Sequence, residues 1–179
     1  MFNHPSYNSL IDLFPSIISK PIRRIGHKKH SVIGAYKIEE ILNILSSHYS
    51  TLDSYYSFEN CTINLRSRSL KLFHKYRDNL YCSSCGLEAS HWMLERYNLK
   101  DSPHFALYGF REENRHIKEY LFTIDHVLPL SRGGVDNFSN MQIMCYRCNI
   151  DKDDNLPVNS SGSSLGNSLG NKIQGLVFP

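Results

Sequence analysis

The chain has 179 residues, 41% hydrophobic and 21% charged, which fits one globular domain or one domain with an extension. No apolar run approaches the roughly 20 residues of a membrane-spanning helix, and the opening Met1-Phe2-Asn3-His4-Pro5 lacks the basic-then-apolar pattern of a secretory leader. Neither a membrane span nor a secretory leader is expected, and the expected setting is a reducing cytoplasm, where paired cysteines read as metal ligands rather than disulfides.

Net charge is only +3, which does not by itself demand a polyanionic partner, but the charge is unevenly spread. Residues 1–81 hold 11 Lys or Arg against 6 Asp or Glu, whereas residues 82–179 hold 9 against 11. The first part is thus the basic one, and carboxylates collect in the second. Taken in chain order, the first feature is a basic cluster, Arg23-Arg24-Ile25-Gly26-His27-Lys28-Lys29-His30, which reads as a solvated loop or as an arm against a polyanion. An amphipathic helix follows, with Ile38, Ile41, Leu42 and Leu45 on one face. Cys61 stands alone and reads as a small buried hydrophobe. A second helix, over about Ser67 to Tyr76, sets Arg68, Lys71 and Lys75 on one stripe and Leu65, Leu72 and Tyr76 on another. Its cationic side suits a phosphate backbone as well as plain solvent.

Two Cys-x-x-Cys pairs, Cys82/Cys85 and Cys145/Cys148, enclose 59 residues, far more than the ~15–20 of a simple zinc ribbon. Four thiolates suit one tetrahedral Zn²⁺. Inside the insert, Ala89 to Tyr97 reads as a helix with Trp92, Leu94 and Tyr97 in the core. Ser102-Pro103 breaks it, and His104 to Phe110 reads as a strand. After a polar turn over Arg111 to His116, the aromatic and β-branched run Glu119 to Val127 reads as its hairpin partner, with Asp125 and His126 at the strand's end. Pro129 and Arg132-Gly133-Gly134 close that strand, a loop leads to Asn140, and the second knuckle runs into a short helix from Asn149 that ends before Pro157. His91, His104 and His116 have no partner at metal-binding spacing and read as surface or core residues. The Ser/Gly-rich stretch 158–179 reads as a flexible tail with an apolar end.

The residues Cys82-x-x-Cys85-Gly86, Asp125-His126-x-x-Pro129-x-Ser131-x-Gly133-Gly134, Asn140 and Cys145-x-x-Cys148-Asn149-x-x-Lys152, in that order, resemble the HNH endonucleases of the ββα-metal fold. The likeness is to the four-cysteine, zinc-containing branch, in the phage-type form with a long insert between the knuckles, and it covers roughly Leu80 to Leu156. It implies an α+β chain with a ββα-metal core and a structural zinc, preceded by a mainly helical extension. The expected domains are a basic helical extension over 1–79, a nuclease domain over 80–157 and the tail over 158–179.

Phosphodiester hydrolysis needs a base for water and a cation for the charge that develops on phosphate. His126 is the natural base, because an imidazole can take a proton near neutral pH. The resemblance implies that Asp125 and Asn149 hold one Mg²⁺ or similar ion through hard oxygens and that Asn140 braces the loop and orients His126. Lys152 and Arg147 are candidates to meet phosphate, beside Arg68, Lys71 and Lys75. The expected partner is DNA, with a protein partner or homodimer left open. The alternative is a zinc-organised nucleic-acid-binding module without turnover. One difficulty is visible at once: neighbours in a regular strand face opposite sides, so a strand end or a bulge must reconcile Asp125 with His126.

Overall fold

In a computed structural model of the protein, residues 22–25, 28–49, 55–58, 60–65, 67–97 and 101–154 are described. The expected tail over 158–179 lies outside them. The elements are β1 (Ile22–Ile25), β2 (Lys28–Lys37), α1 (Ile38–Tyr49), β3 (Tyr55–Phe58), β4 (Cys61–Asn64), α2 (Arg68–Lys75), β5 (His91–Arg96), β6 (His104–Glu113), β7 (His116–His126), β8 (Met141–Cys145) and α3 (Tyr146–Lys152). Six strands form one antiparallel sheet in the order β1-β2-β5-β6-β7-β8, and β3 pairs with β4 in a separate hairpin.

The mixed α and β class with a ββα core is what the structure contains, the core being β7, β8 and α3. The two expected N-terminal helices are α1 and α2. Ser67 caps α2 by accepting from the Leu70 amide at 3.3 Å, and Leu70, Leu72 and Phe73 are buried. Between and before the helices, however, β1 to β4 make the extension strand-bearing rather than mainly helical. The basic cluster is not a loop: Arg23 pairs with His30 and Arg24 with Lys29 in the β1–β2 hairpin. Because β2 then pairs with β5, one sheet runs across the boundary expected near residue 80.

The expected helix over Ala89 to Tyr97 is instead strand β5, whose first five residues are all buried. Trp92 and Leu94 belong to the main core together with Ile41, Leu45, Leu72, Phe73, Phe105 and Leu107, while Met93 joins Ala106, Tyr108 and Phe110 on the other face. A strand covered on both faces loses the alternation that identifies strands, which is why its sequence resembles a buried helix. His91, fully buried, stacks on Phe110 at 4.6 Å and lies 3.0 Å from Glu119, a core role as expected. Cys61 is half-buried against the core.

Candidate active site and metal centre

The first knuckle is tied to the sheet by backbone bonds, from Cys82 N to Leu87 O at 2.8 Å and from Ser83 N to Ile143 O at 2.9 Å. The second knuckle begins at Cys145, the last residue of β8 and the N-cap of α3, and its partner Cys148 lies within that helix. The four sulfurs all lie within 4.8 Å of one another, with Cys85 Sγ and Cys145 Sγ at 3.8 Å. A tetrahedral zinc with bonds of about 2.3 Å requires sulfurs about 3.8 Å apart, so the donor set fits. The hydrogen bond between Cys145 and Cys82 draws the Cys82 thiol down to about 4 and pushes Cys145 up, while burial pushes Cys148 up. Four thiols this close share protons, a state that a soft divalent cation resolves by displacing them. Arg111 adds a guanidinium that donates to Cys85 Sγ at 3.0 Å.

A helix as short as the seven-residue α3 is not stable alone, so its anchorage at Cys145 and Cys148 fixes the residues that follow. Asn149 is next in sequence. Its Nδ2 donates to Thr123 Oγ1 at 2.9 Å, and Thr123 Oγ1 itself donates to Met144 O at 3.1 Å. Since the single hydroxyl proton is spent on Met144, the Thr123 oxygen can only accept, which fixes the amide orientation and leaves Asn149 Oδ1 outside this contact.

Asp125 lies two residues from Thr123, hence on the same face of β7. Its Oδ2 receives Gln142 Nε2 at 2.9 Å and Lys152 Nζ at 2.9 Å. Asp125 and Asn149 line one open cleft with Ile150, Asp153 and Asp154. An aspartate oxygen and an amide oxygen beside further carboxylates form a donor set that a hard divalent cation fits. Lys152 is only 9% exposed and also donates to the His126 carbonyl at 2.8 Å. It therefore holds the end of β7 to α3 instead of facing outward as a phosphate contact would.

His126 is the last residue of β7, and pairing runs regularly through both Asp125↔Gln142 and His126↔Met141. No bulge intervenes; the strand simply ends. Asp125 is directed to α3, whereas His126 shares the parity of Phe122 and Ile124, which pack with the main core. His126 is not among the residues lining the cleft of Asp125 and Asn149. Its Nε2 lies 3.0 Å from Asp136 Oδ1, and the same oxygen lies 2.6 Å from Arg68 Nη1.

Asn140 sits at the far end of the loop from His126. Its Oδ1 accepts from Leu128 N at 2.9 Å, and its Nδ2 donates to Leu128 O at 2.9 Å and Val135 O at 3.0 Å. It thus ties the chain after β7 to the chain before β8. Gly133 takes a left-handed φ of 86°, and a Cβ on Gly134 would run into the Leu128 carbonyl oxygen, with Asn140 Nδ2 at 2.9 Å. Two glycines let the loop close on the asparagine. Asn140 makes no bond to the His126 ring among these contacts; it acts on the loop backbone.

Of the cationic candidates, Lys71 and Lys75 are exposed on α2, and Arg68 is exposed but engaged by Asp136. Arg147 borders a different hollow with Arg111, Glu113, Tyr120, Cys148 and Asp151, away from the Asn149 side. Sequence reasoning missed Thr123, Asp136 and Gln142. Thr123 was within reach, because it precedes Asp125 by two on one strand face; Asp136 and Gln142 carried no signal before the pairing was seen.

Residues 114–163 match the HNH endonuclease family. The matched segment contains β7, the loop, β8 and α3, and with them Asp125, His126, Asn140 and Asn149, but covers under a third of the chain. The first knuckle and α2 precede it, so the four-cysteine cluster joins the HNH segment to residues outside it, in keeping with the zinc-containing branch. The family matched over this segment is one of endonucleases. No curated protein and no solved structure matches the chain. Among the described residues no helix is long and apolar enough to cross a membrane.

Proposed function

We propose that the protein is a metal-dependent endonuclease that hydrolyses DNA phosphodiester bonds, with a structural zinc on Cys82, Cys85, Cys145 and Cys148. The single observation that carries this reading is the cleft shared by Asp125 and Asn149 within the matched HNH segment, with the Asn149 amide held through its Nδ2 by Thr123. Asp125 and Asn149 would hold a Mg²⁺ or similar ion, which when bound offsets the negative charge that develops on phosphate. His126 is the base: its imidazole breaks a water O–H bond and keeps the proton, and the hydroxide oxygen forms the new bond to phosphorus. The bond to the 3′ oxygen breaks with its electron pair, that oxygen takes a proton from solvent, and the products carry 5′-phosphate and 3′-hydroxyl ends. Asp125 and His126 leave β7 on opposite faces, so for both to serve a single phosphate the substrate would have to lie across the end of that strand.

Asn140 braces the loop, and Lys152 keeps Asp125 and the His126 backbone in register. Lys71 and Lys75 on α2 supply grip on the nucleic-acid backbone, with Arg147 as an outlying contact. A binding module without turnover has no use for the carboxylate-rich cleft, since carboxylates repel phosphate unless a cation intervenes. Supercoiled plasmid incubated with zinc-loaded protein, with and without Mg²⁺, separates the two. Mg²⁺-dependent conversion to nicked or linear DNA supports the enzyme, and retention of intact plasmid with a gel shift would favour the module.

A further inference from the structure

Asp136 lies in the loop between β7 and β8, outside every motif read from the sequence. Its Oδ1 is placed between two cations or potential cations, Arg68 Nη1 at 2.6 Å and His126 Nε2 at 3.0 Å. Both neighbours stand on fixed ground. Arg68 opens α2, which is capped by Ser67 and buried through Leu70, Leu72 and Phe73. The loop is pinned by the three Asn140 bonds and by the close approach at Gly134. The fold therefore places the two backbones that carry the contact, while the Arg68 and Asp136 side chains meet at the surface, 51% and 46% exposed.

The Arg68 guanidinium, and after it the His126 ring, holds the Asp136 carboxyl below the usual carboxylate range, so the group is ionised at neutral pH. An ionised carboxylate can only accept, so the neutral imidazole at 3.0 Å must present a proton on Nε2 and keep its lone pair on Nδ1. We infer that Asp136 is a positioning residue that fixes the Nε2–H tautomer of His126, and that Arg68, far upstream of the matched HNH segment, holds Asp136 in place. This rests on His126 being the base, and it names the nitrogen that takes the water proton: Nδ1. It also reassigns Arg68. A side chain spent on Asp136 acts on turnover, whereas a phosphate contact acts on affinity and its salt dependence.

The test begins without substrate, so that its failure is separable from failure of the nuclease reading. In ¹⁵N-labelled, zinc-loaded protein without Mg²⁺ or DNA, at a pH where the ring is neutral, the expected spectrum shows Nε2 protonated and Nδ1 bare, with a slowly exchanging Nε2–H proton. Asp136→Ala should lose that proton signal and relax toward a mixture of tautomers, while Asp136→Asn, which keeps an acceptor oxygen, should retain much of it. With DNA and Mg²⁺, Asp136→Ala and Arg68→Ala should each lower kcat by about 10- to 100-fold, leave KM and Mg²⁺-free duplex affinity unchanged, and combine without adding. An Nε2–H signal indifferent to Asp136 overturns the tautomer assignment. If Arg68→Ala weakens duplex binding and flattens its salt dependence at unchanged kcat, the link to Asp136 is overturned and Arg68 is a phosphate contact.

Discussion

Replacing Asn140 tests whether one side chain holds the loop that carries the end of β7. Asn140→Ala removes three hydrogen bonds, to Leu128 N, Leu128 O and Val135 O, all between 2.9 and 3.0 Å. At about 1 kcal/mol net each, their sum is roughly 3 kcal/mol, and because Asn140 is half-buried, water recovers part of it, leaving about 2 kcal/mol. The Leu128 amide reports this directly, since its acceptor is the Asn140 side chain. Its hydrogen exchange should quicken by roughly 30-fold, the equivalent of about 2 kcal/mol of easier local opening. Asn140→Asp is the sharper variant. It keeps the acceptor for Leu128 N but turns a donor into a carboxylate oxygen facing two carbonyls, so it should destabilise the loop more than alanine does. Exchange at Leu128 that is unchanged in Asn140→Ala, or an Asp variant as protected as wild type, would refute the bracing role.

Three further outcomes follow from the same geometry. Gly134→Ala should lower stability in urea by about 2 kcal/mol or more, because the new methyl meets the Leu128 carbonyl; an unchanged midpoint would show that the loop yields freely. Lys152→Met leaves the Asp125 carboxylate, 14% exposed, without its cation, and should cost about 3 kcal/mol by the same assay; a neutral result would mean that Gln142 alone suffices. Cys148→Ser should abolish stoichiometric zinc and with it the α3 helix, seen as loss of bound metal and of native-like dispersion in NMR spectra, whereas a variant that keeps one zinc per chain would contradict the four-sulfur site.

What could be read from sequence was the chemistry whose spacing is short. Each Cys-x-x-Cys pair constrains itself, and Asp125-His126 and Asn149 sit at fixed distances from a knuckle, so candidate ligand sets showed before any fold did. Helix α2 was legible because its basic stripe, Arg68, Lys71 and Lys75, lies within eight residues and beside an apolar one. Strand β5 was not, because burial on both faces erased its alternation. Strands β1 and β2 were hidden by Lys and Arg, residues that weaken a strand signal without forbidding pairing. The roles of Lys152 and Arg147 were separable in principle, because three residues along a helix from Asn149 share its side and two do not. The Asp136 contact was beyond reach, since Arg68 is distant in sequence and only the packing of α2 brings it to the loop.

The account turns on His126 acting chemically, in a site whose zinc-clamped frame survives without it. The most direct measurement compares plasmid cleavage by wild type and His126→Ala, both with Mg²⁺ and both confirmed to hold one zinc and the same melting profile. Cleavage by the first, with loss of cleavage by the second, is the predicted result. Full activity in His126→Ala, or no cleavage by wild type with any divalent cation, would contradict it.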